Sequence, residues 1–305
     1  MTNHKVTTDV ERAAEVLSSG GIIGLPTETV YGLGACALNE TAVNRVFEVK
    51  GRPKNHPLII HLSPSTDVSA WGEMTVEARA LAAAFWPGPL TLLVRRTSLV
   101  PDWVTGGRDT VAIRVPSHPM AIQLLEAVDT GVVAPSANKF GKVSPTTASH
   151  VLDDIGDDVD LILDGGSCEV GVESTIVECL EDSVSLLRPG VISTDQIQTV
   201  LHTVVDSSSN ESRAPGMLIS HYAPDAEVVL VDTLEDAEKV KQLLEERNRS
   251  VFMIHHDDVA EYARNLYKDL RTADAQECSD VVAVMPVANG IGIAIRDRLR
   301  KAATR

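Results

Sequence analysis

The chain is poor in the features that mark secreted, membrane and metal-scaffold proteins. Its 305 residues include four cysteines, Cys36, Cys168, Cys179 and Cys278, with no C-x-x-C pair among them. That spacing carries no zinc signal, and reduced, partly buried thiols are the expected state. No uninterrupted apolar run approaches the roughly 20 residues that a membrane helix needs. Residues Met1 to Asp9 are polar, without an apolar signal segment, so a cytoplasmic location away from membranes is expected. Lys and Arg are missing from Val143 to Leu187, a stretch in which Asp153, Asp154, Asp157, Asp158 and Asp160 crowd together. The phosphate loop G-x-x-x-x-G-K-[ST] is missing too, and Gly32-Leu33-Gly34 lacks the third glycine of the dinucleotide fingerprint. A nucleotide bound here must be held largely by side chains.

What is present reads as a packed globular protein. Apolar residues make up 44% and charged residues 23%, an ordinary composition for one large domain or two smaller ones. The formal net charge is -16. Affinity for nucleic acid comes mainly from phosphate neutralisation, so strong direct binding of nucleic acid is not expected. The basic residues are clustered: Lys50, Arg52 and Lys54, then Arg95, Arg96, Arg108 and Arg114. An acidic shell around local basic clusters suits a small anionic ligand.

Periodicity and punctuation predict the elements. Thr7 to Ser19 reads as an amphipathic helix with a Thr cap, ended by Gly20-Gly21, and Gly21 to Leu25 as a strand. Pro26 to Ala37 reads as a long loop. A helix over Asn39 to Val49 precedes a strand over Pro57 to Leu62. Thr75 to Phe85 is an Ala-rich helix stopped by Pro87-Gly88-Pro89. Strands follow over Leu90 to Val94 and Thr110 to Val115, then a helix over Pro119 to Val128 and a strand over Gly131 to Ala134. Thr146 to Ile155 is helical, and Leu161 to Leu163, Ser174 to Cys179 and Val184 to Leu187 complete a mixed α/β sheet. A polar run from Asp206 to Ser212 and then Arg213-Ala214-Pro215-Gly216 read as a linker. Beyond it, Glu227 to Val231, Leu234 to Glu246, Val251 to Ile254, Val259 to Leu270, Val281 to Val284 and Ile291 to Ala302 alternate strand and helix. That series predicts a small three-layer α/β, Rossmann-like domain. The expected units are 1–204, a linker or lid over 205–225, and 226–305.

Three segments carry chemistry. In Pro26-Thr27-Glu28-Thr29-Val30-Tyr31-Gly32-Leu33-Gly34, two Thr hydroxyls could bind a polar ligand, or the segment is an ordinary loop with a capped turn. Lys50-Gly51-Arg52 offers a compact charge and a planar fork for phosphate or carboxylate; it also reads as a solvated cationic helix end. His56 and His61 flank the next strand. Ala134-Pro135-Ser136-Ala137-Asn138 lies beyond a strand end, where ligands of α/β sheets gather, though a turn of small residues has the same composition.

Taken in order, PTETVYGLG, KGRPKNHPLIIH, FWPGPLTLL, VAIRVPSHP, APSANKFGKVSPT, GVESTIV and LLRPG make the chain resemble the YrdC-like family across nearly all of residues 10–200. RAPGMLISHYAP and the ending GIGIAIRDRLRKAA resemble the two-domain members, which are threonylcarbamoyl-adenylate synthases. The resemblance implies a large twisted mixed sheet and an enzyme that joins L-threonine, bicarbonate or CO2, and ATP, releasing pyrophosphate. It implies Lys50, Arg52, Ser136 and Asn138 as catalytic. It implies ATP contacts from Arg52, His56, Thr110, Ser136, Ser144, Arg188 and Tyr222, and L-threonine contacts from Thr29, His61, Arg114, Ala134 and Ser174. His56 departs from the family, where Asn is common. Mg2+ is expected to be held mainly by ATP, with no protein side-chain ligand, and a separate tRNA threonylcarbamoyl transferase to take the product. Two rivals are an RNA-binding module of this fold without adenylation, and the carbamoyl-adenylate chemistry of hydrogenase maturation proteins. The net charge opposes the first, so direct tRNA binding is expected to be weak or absent; the second normally comes with zinc-finger and acylphosphatase modules that are not found here.

Overall fold

The computed structural model describes residues 5–180, 183–203, 205–207 and 222–304. The expected linker residues 208–221, with the end of the polar run and Gly216, lie outside them. Among the described residues, twelve strands form one mixed sheet and three form a second, parallel sheet. The large sheet, as expected, is neither all parallel nor all antiparallel. Ile59–His61 runs parallel to Thr110–Arg114 and antiparallel to Val132–Val133, and Leu90–Arg96 joins Thr110–Arg114 antiparallel.

Local chemistry explains the elements. Helix Val10–Ser18 begins at Asp9, whose side chain accepts from the Arg12 amide, so Asp9 is the cap and not the expected threonine. Pro119–Val128 starts with proline at its first turn, where its missing N–H costs nothing. The segment read as one loop from Pro26 to Ala37 contains a strand, Gly32–Cys36. Gly32 is small there for a reason: a Cβ would meet that of Ala134 at 2.8 Å. Helix Thr194–Leu201, unpredicted above, starts with a reciprocal capping box between Ser193 and Gln196.

In the second sheet the order is Glu227–Val231, Asp280–Val284, Val251–Ile254. Its side chains alternate: Val281 and Ala283 pack with helices Val259–Ala275 and Ile291–Ala303, whereas Val282 and Val284 pack with Leu234–Glu245. That gives the expected three layers. The first of these clusters also takes in Val30, Val143, Val172 and Tyr222, so one apolar core joins the two sheets' units. Polar contacts reinforce it. Arg271 makes two hydrogen bonds to Asp154, at 2.9 and 2.6 Å, and Lys142 pairs with Asp225 at 2.6 Å.

Gly171 marks a close approach between the two sheets' units. Its φ is +81°, and a Cβ there would lie 2.4 Å from the Ala263 carbonyl oxygen. Gly166 has φ +82° with nothing within 4 Å of the same position. Gly166→Ala should therefore cost about 1–2 kcal/mol, from left-handed strain alone. Gly171→Ala should cost about 1–3 kcal/mol more, because the helix must be displaced. Denaturant unfolding of the two variants checks this; equal losses would contradict the close approach.

Candidate active site

Sheet register assembles a row of polar side chains at one end of the large sheet. His61 pairs with Arg114 on the neighbouring strand, and Arg114 with Thr91 on the next. Thr175 sits opposite Leu90, and Arg188 opposite Ile176. Ser174, just before a strand, thus converges with Arg188, Arg114 and His61 from three others. With Thr27, Thr29, Arg52, Ala134, Ser136, Glu173 and Tyr222 they line one cavity.

Three guanidinium groups, Arg52, Arg114 and Arg188, face this cavity, and each is buried. Arg114 is anchored from several sides. Its Nη1 donates to Thr29 Oγ1 at 2.9 Å and its Nε to the Gly88 carbonyl at 3.3 Å. Its Nη2 lies 2.8 Å from Glu28 Oε1. That contact is ionic without hydrogen-bond alignment, so Nη2 and both Glu28 oxygens keep unused hydrogen-bonding capacity. Burial opposes the Glu28 charge, but Arg114 outweighs it and holds the carboxyl below its ordinary value. Arg52 donates to the Pro57 carbonyl at 3.0 Å and leaves its buried Nε unpartnered. Burial lowers it to about 10, still fully charged at neutral pH. Arg188 donates to the Ser174 carbonyl at 3.1 Å and to Ser174 Oγ at 3.0 Å, and Ser174 Oγ lies 2.7 Å from Thr91 Oγ1.

His61 is the neutral member. Burial, with Arg114 beside it, pushes its imidazole down to about 3. It is uncharged at pH 7, and its buried Nδ1 has no hydrogen-bond partner. Such a group can exchange a hydrogen bond with a ligand but is too weak a base to take a proton from an amine.

The Lys50-Gly51-Arg52 segment is a helix end and a cavity wall at once. Gly51 takes the left-handed conformation, φ +64°, and the Arg52 amide returns to the Phe47 carbonyl, closing helix Glu40–Lys50. Lys50 is buried, not solvated. Its Nζ donates to the carbonyl oxygens of Ser136 and Asn138, the latter at 2.6 Å. Asn138 Nδ2 donates to the carbonyls of Lys139 and Lys142, at 3.0 and 2.7 Å. Lys50 and Asn138 therefore stand behind the cavity and shape the loop that presents Ser136. Burial, then Arg52, pulls the Lys50 ammonium well below its ordinary value.

Of the other expected residues, Thr29, Ala134 and Tyr222 line the cavity, whereas His56, Thr110 and Ser144 do not. His56 meets the edge of Phe140, 5.7 Å between centroids, on the ring that also lies under Arg52. Thr110 lies at the far end of the Arg114 strand. Ser144 is fully buried and donates to Glu173 Oε1 at 2.7 Å. Tyr222 is buried and stacks on Tyr267, 5.5 Å between centroids.

Two acidic residues went unassigned in the sequence, Glu28 and Glu173. Each is the single charge in its motif, PTETVYGLG and GVESTIV, which is the signal that was there to find. Among the described residues no group of three or more His, Cys, Asp and Glu is placed to hold a metal ion. The four cysteines are free, and burial pushes Cys168 and Cys179 up to about 12, so both stay protonated and inert. No helix is long and apolar enough to cross a membrane among the described residues.

Acid should loosen this site through His61. Its folded value, about 3, lies below the ordinary 6.5, so the unfolded chain binds the extra proton and stability falls as pH drops through that window. His150, lowered to about 4 by burial and by Arg271, acts in the same sense. Glu173, whose value falls from 4.5 to about 2, contributes only at lower pH. Between about pH 7.5 and about pH 5, denaturant unfolding should show wild type losing stability and His61→Gln losing less. Equal losses would contradict a buried neutral imidazole.

Comparison with known proteins agrees with this geometry. The Sua5/YciO/YrdC family model, described as "Telomere recombination", matches residues 15–190, and a model described as "Threonylcarbamoyl-AMP synthase, C-terminal domain" matches residues 192–304. The threonylcarbamoyl-AMP synthase of Pyrococcus abyssi is 41% identical over 314 residues, covering 95% of this chain and 92% of that protein. That of Bacillus subtilis is 37% identical, covering 96% and 92%. The structure of P. abyssi Sua5 complexed with L-threonine superposes with a TM-score of 0.91 at 40% identity, covering 96% of this chain and 94% of that one. The chain belongs to the Sua5/YciO/YrdC family, in its two-domain form with a Sua5 C-terminal domain.

Proposed function

We propose that the chain is a cytoplasmic L-threonylcarbamoyladenylate synthase, a nucleotidyltransferase. The observation that carries this reading is the cavity itself. Arg52, Arg114 and Arg188 converge there from separate segments of a chain whose net charge is -16. Relatives named threonylcarbamoyl-AMP synthase at 41% and 37% identity support it.

The reaction has two stages. The threonine amine attacks carbon dioxide, supplied as such or by loss of hydroxide from bicarbonate, forming an N–C bond and releasing its proton to solvent. One oxygen of the resulting N-carboxylate then attacks the α-phosphorus of ATP. The bond to the bridging oxygen breaks, and pyrophosphate departs. Two anions must meet in the second stage, so charge stabilisation and positioning supply most of the acceleration.

Arg114, Thr29, His61, Ser174 and the backbone at Ala134 are assigned to L-threonine. A guanidinium fixed in charge suits its carboxylate, and a neutral His61 adds no charge to repel the amine. Arg52, Arg188 and Ser136 are assigned to the phosphates, with Tyr222 closing one side. Lys50 and Asn138 act by holding the Ser136 loop. His56 and Thr110, outside the lining, would meet only the far end of the nucleotide, and Ser144 acts through Glu173. Glu173 in the cavity wall and Glu28 beside Arg114 are both engaged by arginines, so they do not make a resident metal site, and magnesium is treated as arriving on the phosphates of ATP. We assign residues 1–204 to catalysis, 205–225 to a linker and lid, and 226–305 to a bracing domain. The adenylate would pass to a transferase that modifies tRNA.

Incubation with ATP, magnesium, L-threonine and bicarbonate should yield threonylcarbamoyl-adenylate by mass spectrometry, and no such product without threonine. Arg52→Ala should slow pyrophosphate release at least about tenfold, equivalent to about 1.4 kcal/mol of barrier. Wild-type rates in that variant, or no threonine-dependent product from the native chain, would overturn the assignment.

A further inference from the structure

Behind the cavity lies a buried polar network that the reaction scheme leaves unused, centred on Glu173. Its carboxylate accepts from Ser144 Oγ at 2.7 Å, from the Tyr267 hydroxyl at 2.8 and 3.0 Å, and from Arg298 Nε at 3.0 Å. Tyr267 and Arg298 come from the C-terminal helices Val259–Ala275 and Ile291–Ala303, and both are fully enclosed. Arg298 has a second grip: its Nη1 donates to the Pro189 carbonyl at 2.7 Å.

The chain positions make this arrangement informative. Glu173 directly precedes Ser174, and Pro189 directly follows Arg188. Ser174 and Arg188 are the two cavity residues already tied to each other by hydrogen bonds. Arg298 therefore holds the outer neighbour of each member of a cavity pair, from a different sheet's unit. The same two side chains seat Tyr222, which stacks on Tyr267 and has the Arg298 guanidinium 5.8 Å from its ring centroid.

We infer that Arg298 and Tyr267 are positioning residues for the adenylation site: through Glu173 and Pro189 they fix the Ser174–Arg188 pair, and they supply the seat for Tyr222. The C-terminal domain thereby sets the geometry of the reaction from outside the catalytic sheet. This rests on the function proposed above.

The charge balance gives the inference a signature that simple destabilisation lacks. Burial opposes the Glu173 charge, but Arg298 and then Arg188, with the Ser144 and Tyr267 hydroxyls, hold it down to about 2. The remaining ring beside it is Tyr222, whose own hydroxyl is pushed up by burial and by Glu173. In wild type, then, Glu173 stays ionised at every pH at which the enzyme works. Without Arg298 it loses its leading counter-charge, and burial drives the carboxyl up toward neutrality.

The test compares Arg298→Met, Tyr267→Phe and Arg249→Met with wild type in steady-state synthesis of the adenylate, across pH. Arg249 pairs with the buried Asp280 inside the C-terminal unit, and no contact of its own reaches Glu173. Arg249→Met is thus a control for loosening that unit. Arg298→Met should lower kcat/KM for L-threonine at least tenfold and add an acidic limb to the pH profile that wild type shows; adding Glu173→Gln should remove the added limb. Tyr267→Phe, which keeps the stacked ring, should raise KM for L-threonine or ATP at least threefold while losing no more stability than Arg249→Met. Arg249→Met should lose stability but keep kcat/KM. If Arg298→Met does not fold, Tyr267→Phe decides. Wild-type constants and an unchanged wild-type pH profile in the folded variants would overturn the inference, as would an equal activity loss in Arg249→Met. Wild type assayed in parallel separates the two readings: absence of any adenylate from it overturns the functional assignment instead.

Discussion

The buried charge of Glu173 is the constraint on which the arrangement of the molecule turns. A carboxylate this enclosed is tolerated only when ion pairing and hydrogen bonds replace the water it has lost. Here the replacements come from both units: Ser144 from one, Tyr267 and Arg298 from the other. Removing one partner of such a pair leaves a bare buried charge and typically costs about 3–5 kcal/mol. The pair adds little net stability over an apolar contact, but it demands one particular seating of the C-terminal helices. The apolar cluster that contains Val30, Val172 and Tyr222 supplies the adhesion, and the charged network supplies the register.

That division of labour matters because the cavity works through charge. The chain is acidic as a whole, yet apart from Glu173 the polar residues that line the cavity are cationic or neutral, and Glu173 and nearby Glu28 are each matched to an arginine. Strand pairing does the placing: His61 opposite Arg114, and Arg114 opposite Thr91. Burial then tunes what has been placed. It keeps His61 neutral and leaves Arg52 charged. Lys50 Nζ tethers the loop that carries Ser136, a support for a neighbour that the sequence alone did not suggest.

Much of this was legible in the sequence, for identifiable reasons. Pro119–Val128 and Leu161–Leu163 have the expected bounds because proline, Gly131 and the acidic Asp160 punctuate them sharply. Gly32–Cys36 was read as loop because its glycines suggest a turn; Gly32 is there to let Ala134 approach. Thr194–Leu201 was overlooked although Ser193 and Gln196 carry a capping box. Nine of the expected site residues, among them Arg114, His61 and Ser136, do line one cavity. The partnership of Glu173 with Arg298 spans 125 positions of chain. Neither local spacing nor periodicity can reveal a contact of that kind in a single sequence.

The claim at the centre is that Arg114 and its neighbours form the site for L-threonine. Calorimetric titration of L-threonine into wild type, and into a variant with both Arg114→Met and Glu28→Gln, tests it directly. The paired change removes both charges together and leaves no bare ion in the core. The account predicts binding by wild type and at least tenfold weaker binding by the folded double variant; equal affinity for the two proteins would contradict it.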